Sequence, residues 1–130
     1  MDINKKGLYE ELTGTIISAA IKVRNTLGCG FLEKVYENAL VHEMSKRGLQ
    51  VETQKPIKII YDDIIVGDYK MDILVEGKVI VELKTSGVID EVHKAQLLNY
   101  LRACNLRLGL ILNFGKPRLQ VKRMVYGFIE

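Results

Sequence analysis

Apolar positions recur at spacings of three and four from residue 9 to residue 27, where Leu12, Ile16, Ala19 or Ala20, Val23 and Leu27 fall on one stripe. That period predicts a first amphipathic helix, and Gly28 sits where such helices commonly stop in the left-handed conformation. A second helix is predicted from about Leu32 to Arg47, with Leu32, Tyr36, Leu40 and Met44 four apart and Gly48 as the stop. The texture changes at Val51. From there to Lys84 the chain is rich in Ile, Val and Tyr, broken at Asp62-Asp63, Gly67-Asp68 and Glu76-Gly77. Strands are predicted over about 51–60, 64–68 with 69–75, and 78–84. A third helix is expected from about Asp90 to Ala103, another buried strand over Leu106 to Leu112, and an edge strand from Gln120 to Tyr126.

The order is α, α, β, β, β, α, β, with a further β at the end. This is an α/β (α+β) arrangement: a mixed central sheet flanked by helices. The run Val79-Ile80-Val81 is too apolar for a strand with one wet face, so that strand is expected to be central.

Charged residues interrupt the most buried stretches. Asp72 breaks Met71-Ile73-Leu74-Val75, and Glu82 and Lys84 break Val79-Ile80-Val81-Leu83. An unpaired buried carboxylate is strongly disfavoured, so each of these needs a reason. Alternation sets Glu82 and Lys84 on one face of their strand. The register of the preceding hairpin decides where Asp72 lies. A two-residue turn pairs Val75 with Lys78 and sends Asp72 and Glu82 to opposite faces. A three-residue loop or a bulge pairs Val75 with Val79 and sets Asp72 across from Glu82. The functional reading requires the second register, so the loop is not expected to be a simple two-residue turn.

In that register two carboxylates face one another and repel. Lys84 can compensate in part, and a hard divalent ion can supply the rest. Mg²⁺ is typically held by one or two carboxylates, waters and a substrate phosphate. A structural ion-pair cluster accounts for the same spacing, and spacing alone does not choose between them. Glu33 lies near the start of the second helix, where the helix dipole favours an acid whatever its role. Gln96 and Tyr100 are four apart on one face of the third helix, a spacing that also suits a packing hydrogen bond.

Taken in order, Glu33, Asp72, Glu82-Leu83-Lys84 and Gln96-x-x-x-Tyr100 resemble the PD-(D/E)xK nuclease superfamily, and within it the GxxExxY group. Gly30, Glu33 and Tyr36 match the name-giving motif, and Asn113-Phe114-Gly115 looks like the same group. The resemblance covers roughly residues 12 to 126. It implies a restriction-endonuclease-like αβββαβ core and a single nuclease-like domain over residues 1–130. It also implies roles. Asp72, Glu82 and the backbone carbonyl of Leu83 would ligate Mg²⁺ (or Mn²⁺), and Glu33 would hold a second metal or a metal-bound water. Lys84 would orient or deprotonate the attacking water, while Gln96 and Tyr100 would brace the site and approach the nucleic acid. The implied activity is metal-dependent phosphodiester hydrolysis, in DNA rather than RNA. Met71 stands where the superfamily label expects Pro, a matter of backbone scaffolding rather than chemistry.

Composition narrows the alternatives. The 130 residues hold 48% hydrophobic and 27% charged side chains, enough for an ordinary packed core. The net charge of +3 excludes a histone-like polycation and fits a nucleic-acid partner or none. Lys116, Arg118, Lys122 and Arg123 form a basic stretch that could grip phosphates, although a solvated edge explains it equally. The longest uncharged run, Leu12 to Ile21, is ten residues, well short of the roughly 18 a membrane span needs. The N-terminal segment lacks the apolar run of a secretory signal. Cys29 and Cys104 form neither a metal motif nor a disulfide framework, as expected of reduced thiols in a cytoplasmic protein. A non-catalytic nucleic-acid- or protein-binding module of the same fold is the competing reading. The small size also admits a homodimer, with Phe31 at its seam.

Overall fold

The computed structural model describes residues 7, 9–85 and 87–127. Its elements are α1 (Glu10–Leu27), α2 (Glu33–Lys46), β1 (Val51–Tyr61), β2 (Ile64–Val75), β3 (Val79–Lys84), α3 (Glu91–Cys104), β4 (Leu108–Asn113) and β5 (Gln120–Val125). The five strands form one sheet in the order β1-β2-β3-β4-β5. The β3–β4 pair is parallel and is joined through α3; the others are antiparallel. The mixed sheet with flanking helices expected from the pattern is therefore present. The segments 64–68 and 69–75 form one strand rather than two, and β4 starts at Leu108 rather than Leu106.

Every residue of β4 is buried, and so are the first five of β3, Val79 to Leu83. The two strands are covered on both sides. On one side Ile16, Ala20, Tyr36, Leu40 and Met44 of α1 and α2 pack on Ile73, Val81, Leu83, Leu110 and Leu112. On the other, Leu97, Tyr100 and Leu101 of α3 pack on Leu74, Ile80 and Ile111. Gly109 lets α3 come this close: a Cβ there would stand 2.8–2.9 Å from the side chain of Leu97.

Helix ends follow local chemistry. Beyond α2, Gly48 takes φ 87°. Its N–H donates to the Ser45 carbonyl while the Leu49 N–H donates to that of Met44, the paired bonds of a Schellman stop. Gly28 differs from expectation. Its φ of 73° is positive, but its ψ of −168° lies outside the left-handed helical region, so the chain leaves α1 extended. Arg24, in the last turn of α1, is buried and donates to the Lys116 carbonyl at 2.9 Å from Nε, tying the β4–β5 loop to the helix layer.

Among the described residues, no helix is long and apolar enough to cross a membrane.

Candidate active site

The hairpin between β2 and β3 sets the geometry. Val75 pairs with Val79, Leu74 with Ile80 and Ile73 with Val81. The connection is therefore the three-residue loop Glu76-Gly77-Lys78, with Glu76 at φ 55° and Gly77 at φ 64°. Glu76 is fastened at both ends of its side: its N–H donates to the Gln50 carbonyl, and its carboxylate accepts from the Gln50 N–H at 2.6 Å. This register brings Asp72 level with Glu82, as the functional reading required.

Beyond Ile73 and Val81 the paired register of β2 and β3 ends, and carboxylates bond to main-chain amides. The Asp72 N–H donates to Glu82 Oε2 at 3.0 Å, and the Leu83 N–H donates to Asp72 Oδ2 at 2.9 Å. On the other side of β2, Thr53 pairs with Ile73 and Lys55 with Met71, but Gln54 and Asp72 between them do not pair. Gln54 takes φ 53°, an uncommon conformation for a non-glycine residue. The alternation of β2 breaks here too. Met71 and Leu74, three apart, both pack on the α3 side, while Ile73 packs on the α1–α2 side.

Glu82 is buried, and its carboxyl is pushed up to about 8, first by burial and then by the negative charge of Asp72. Glu33 opens α2 and is half-buried. Its carboxyl is raised to about 7 by burial first, then by the charge of Asp72 and a side-chain hydrogen bond with it. Both glutamates also feel the ammonium of Lys84, which pulls the other way. Lys84 nevertheless makes no ion pair or hydrogen bond through its ammonium with any described residue. Glu33, Asp72, Glu82 and Lys84 thus share one electrostatic neighbourhood, drawn from α2, β2 and β3.

From α3, the Gln96 amide donates to the Tyr100 hydroxyl. Burial pushes the Tyr100 phenol above its usual range, and the charges of Glu82 and Asp72 act in the same direction. Tyr100 packs with Met71 and Ile80, the residues adjoining Asp72 and near Glu82 on the α3 side of the sheet, which sets the α3 pair beside the carboxylate cluster.

The basic stretch is not one patch. Arg123 lies against α1, with Nη1 3.4 Å from the Thr13 hydroxyl. Lys122, its neighbour on β5, projects to the opposite side of the sheet, while Lys116 and Arg118 belong to the preceding loop. Phe31 is 48% exposed, its ring set edge-on to Tyr36.

Glu37 escaped the sequence reading. It is buried one turn beyond Glu33, receives Lys34 at 3.1 Å and Gln54 Nε2 at 3.2 Å, and contributes to raising Glu33. The four-residue interval from Glu33 to Glu37 was the available signal, since it sets both acids on one helix face.

Residues 10–124 match the family described as the PD-(D/E)XK nuclease superfamily. The chain belongs to that superfamily. No curated protein matches it. Among solved structures, the crystal structure of SSO0001 shares the fold at a TM-score of 0.55 and 16% identity, over 93% of this chain. The chain spans 61% of the length of that protein. Membership of the superfamily makes this a nuclease-like protein whose fold is restriction-endonuclease-like.

Divalent cations are typical of PD-(D/E)XK nucleases. Carboxylate oxygens in a partly buried setting are of the kind a hard cation prefers. No three His, Cys, Asp or Glu side chains among the described residues enclose a metal site as they stand.

Proposed function

We propose that the chain is a Mg²⁺- or Mn²⁺-dependent nuclease that hydrolyses phosphodiester bonds in DNA. One observation carries the reading. Asp72 and Glu82 are held side by side next to a lysine whose ammonium is committed to neither of them. A satisfied ion-pair network, the alternative that spacing left open, would have Lys84 bonded to one of these carboxylates.

In this reading Asp72, Glu82 and the carbonyl of Leu83 hold the cation, with Glu33 reaching it from α2. Bound there, a dication would lower the pKa of water and neutralise charge on the phosphate. The chain's own groups do the rest. Lys84 orients the attacking water and screens negative charge as it gathers on the phosphate oxygens. Bonds to the main-chain amides of Asp72 and Leu83 fix the two carboxylates, so little reorganisation accompanies the reaction. Gln96 fixes the Tyr100 hydroxyl at the rim.

The test is cleavage of single-stranded, double-stranded and branched DNA with Mg²⁺ or Mn²⁺, by the wild type, Asp72→Ala and Lys84→Ala. Cation-dependent products from the wild type, lost in both variants, support the reading. Equal activity in all three proteins assigns the cleavage to a contaminant and overturns it.

A further inference from the structure

A groove of about 880 Å³ runs between α3 and the hairpin of β1 and β2. Its lining includes Gln96 and Tyr100, and Tyr100 packs with Met71 and Ile80 beside the carboxylate cluster, so the groove adjoins that cluster. The other polar and aromatic lining residues are Lys58, Tyr69, Asn99 and Arg102.

These side chains differ in what they offer. Tyr69 is half exposed, and its ring lies 5.7 Å from that of Tyr100 at a 48° tilt. Arg102 is exposed and forms no ion pair among the described residues. Lys58 stands at the rim, held by Asp68 at 2.9 Å. Asn99 is exposed beside Gln96, so two side-chain amides face the groove. Between them lie apolar walls, including Ile59 and Val92.

We infer that this groove receives an unpaired nucleic-acid strand and leads it to the carboxylate cluster, with a base stacked on Tyr69 and phosphate contacted by Arg102. The inference rests on the nuclease reading and specifies its substrate as single-stranded. A slot with apolar walls, a half-exposed aromatic ring, amides and an exposed guanidinium matches a strand whose bases are unstacked. A duplex presents phosphates and keeps its base faces covered, and so could not use the aromatic or the apolar walls. Continuity with Tyr100 and Gln96 gives the strand a direction, inward toward Asp72 and Glu82.

The experiment is anisotropy with fluorescent single-stranded DNA, single-stranded RNA and blunt duplex DNA of equal length. Chelator is present throughout, so no cleavage enters the readout. Wild type, Tyr69→Ala, Tyr69→Phe and Arg102→Glu are compared. Single strands bind at least about tenfold more tightly than duplex, and Tyr69→Ala costs about tenfold or more, in line with one lost base stack. Tyr69→Phe restores the affinity, which separates stacking from a general packing defect. Arg102→Glu weakens binding and lowers its salt dependence. DNA and RNA arms of equal affinity leave the sugar unread; a difference assigns it, and either agrees with the inference. Duplex binding equal to single-strand binding, or single-strand affinity unmoved by both Tyr69→Ala and Arg102→Glu, overturns it. Asp72→Asn is assayed for cleavage in a separate reaction with Mg²⁺. Loss of cleavage there leaves the nuclease reading standing whatever the groove does, so the two claims fail separately.

Discussion

Asp72 and Glu82 are joined through the main chain rather than through a cation of the protein's own. Glu82 accepts from the Asp72 N–H at 3.0 Å, and Asp72 in turn accepts from the N–H of Leu83, the residue after Glu82. Like charges so placed disfavour one another, and the ammonium two residues on leaves both without an ion pair. Burial and the neighbouring carboxylate keep protons on Glu82 and Glu33 well above the usual carboxylate range, so any cation bound there would have to displace them.

Lys84 separates a catalytic arrangement from a structural one. Because its ammonium forms no ion pair among the described residues, Lys84→Met should leave the melting temperature within a degree or two of wild type, about the scatter of surface substitutions. Cleavage should fall by about 10² or more, the loss typical of removing one group that stabilises transition-state charge. Calorimetric melting and initial cleavage rates measure the two. A large drop in stability with cleavage retained would assign Lys84 to the scaffold.

Stability of the metal-free protein should decline as pH rises. Burial, then the charge of Asp72, lifts Glu82 to about 8 from 4.5, and burial and Asp72 lift Glu33 to about 7. Below the unfolded value both states are protonated and the favourable contribution is complete. Above it the unfolded chain releases protons that the native state keeps, so stability is lost progressively until pH passes the folded values. Urea melts from about pH 5 to about pH 8.5 in chelator should show this fall, and Glu82→Gln should flatten most of it. Mn²⁺ should raise the melting point more at the alkaline end, because bound carboxylates must be ionised.

The three-residue loop is a register device. Replacing Glu76-Gly77-Lys78 with Asn-Gly favours a two-residue turn, and a one-residue slip sends Asp72 and Glu82 to opposite faces of the sheet. The variant should lose cleavage and Mn²⁺ binding together, checked by activity and calorimetric titration. A folded variant that keeps both would show that the register does not matter.

At Gly109 a methyl group meets Leu97 at 2.8–2.9 Å, so Gly109→Ala should cost about 1–3 kcal/mol by forcing α3 from the sheet. Chemical denaturation measures this, and Gly109→Ala combined with Leu97→Ala should recover part of the loss.

Much of this was legible in the sequence because it rests on local periodicity. The stripes through Ile16 and Val23, and through Tyr36, Leu40 and Met44, are the residues that pack on one side of the sheet. The site was legible for a different reason: acids inside apolar strands are anomalous enough to demand an explanation, and the loop after Val75 offered two registers of which one gave them a purpose. What could not be read depends on contacts between distant segments. The break in alternation at Asp72 goes with a positive φ at Gln54, eighteen residues earlier. The groove beside α3 joins residues from a strand and a helix, among them Tyr69 and Tyr100. The basic stretch is divided in the same way, since strand alternation and the contact with Thr13 separate Lys122 from Arg123.

The most direct test is anomalous diffraction from crystals soaked in Mn²⁺. The account predicts a peak within about 2 Å of carboxylate oxygens of Asp72 and Glu82 and of the Leu83 carbonyl, absent in Asp72→Ala crystals. Density for manganese elsewhere, or none at the cluster with all three groups in place, would contradict it.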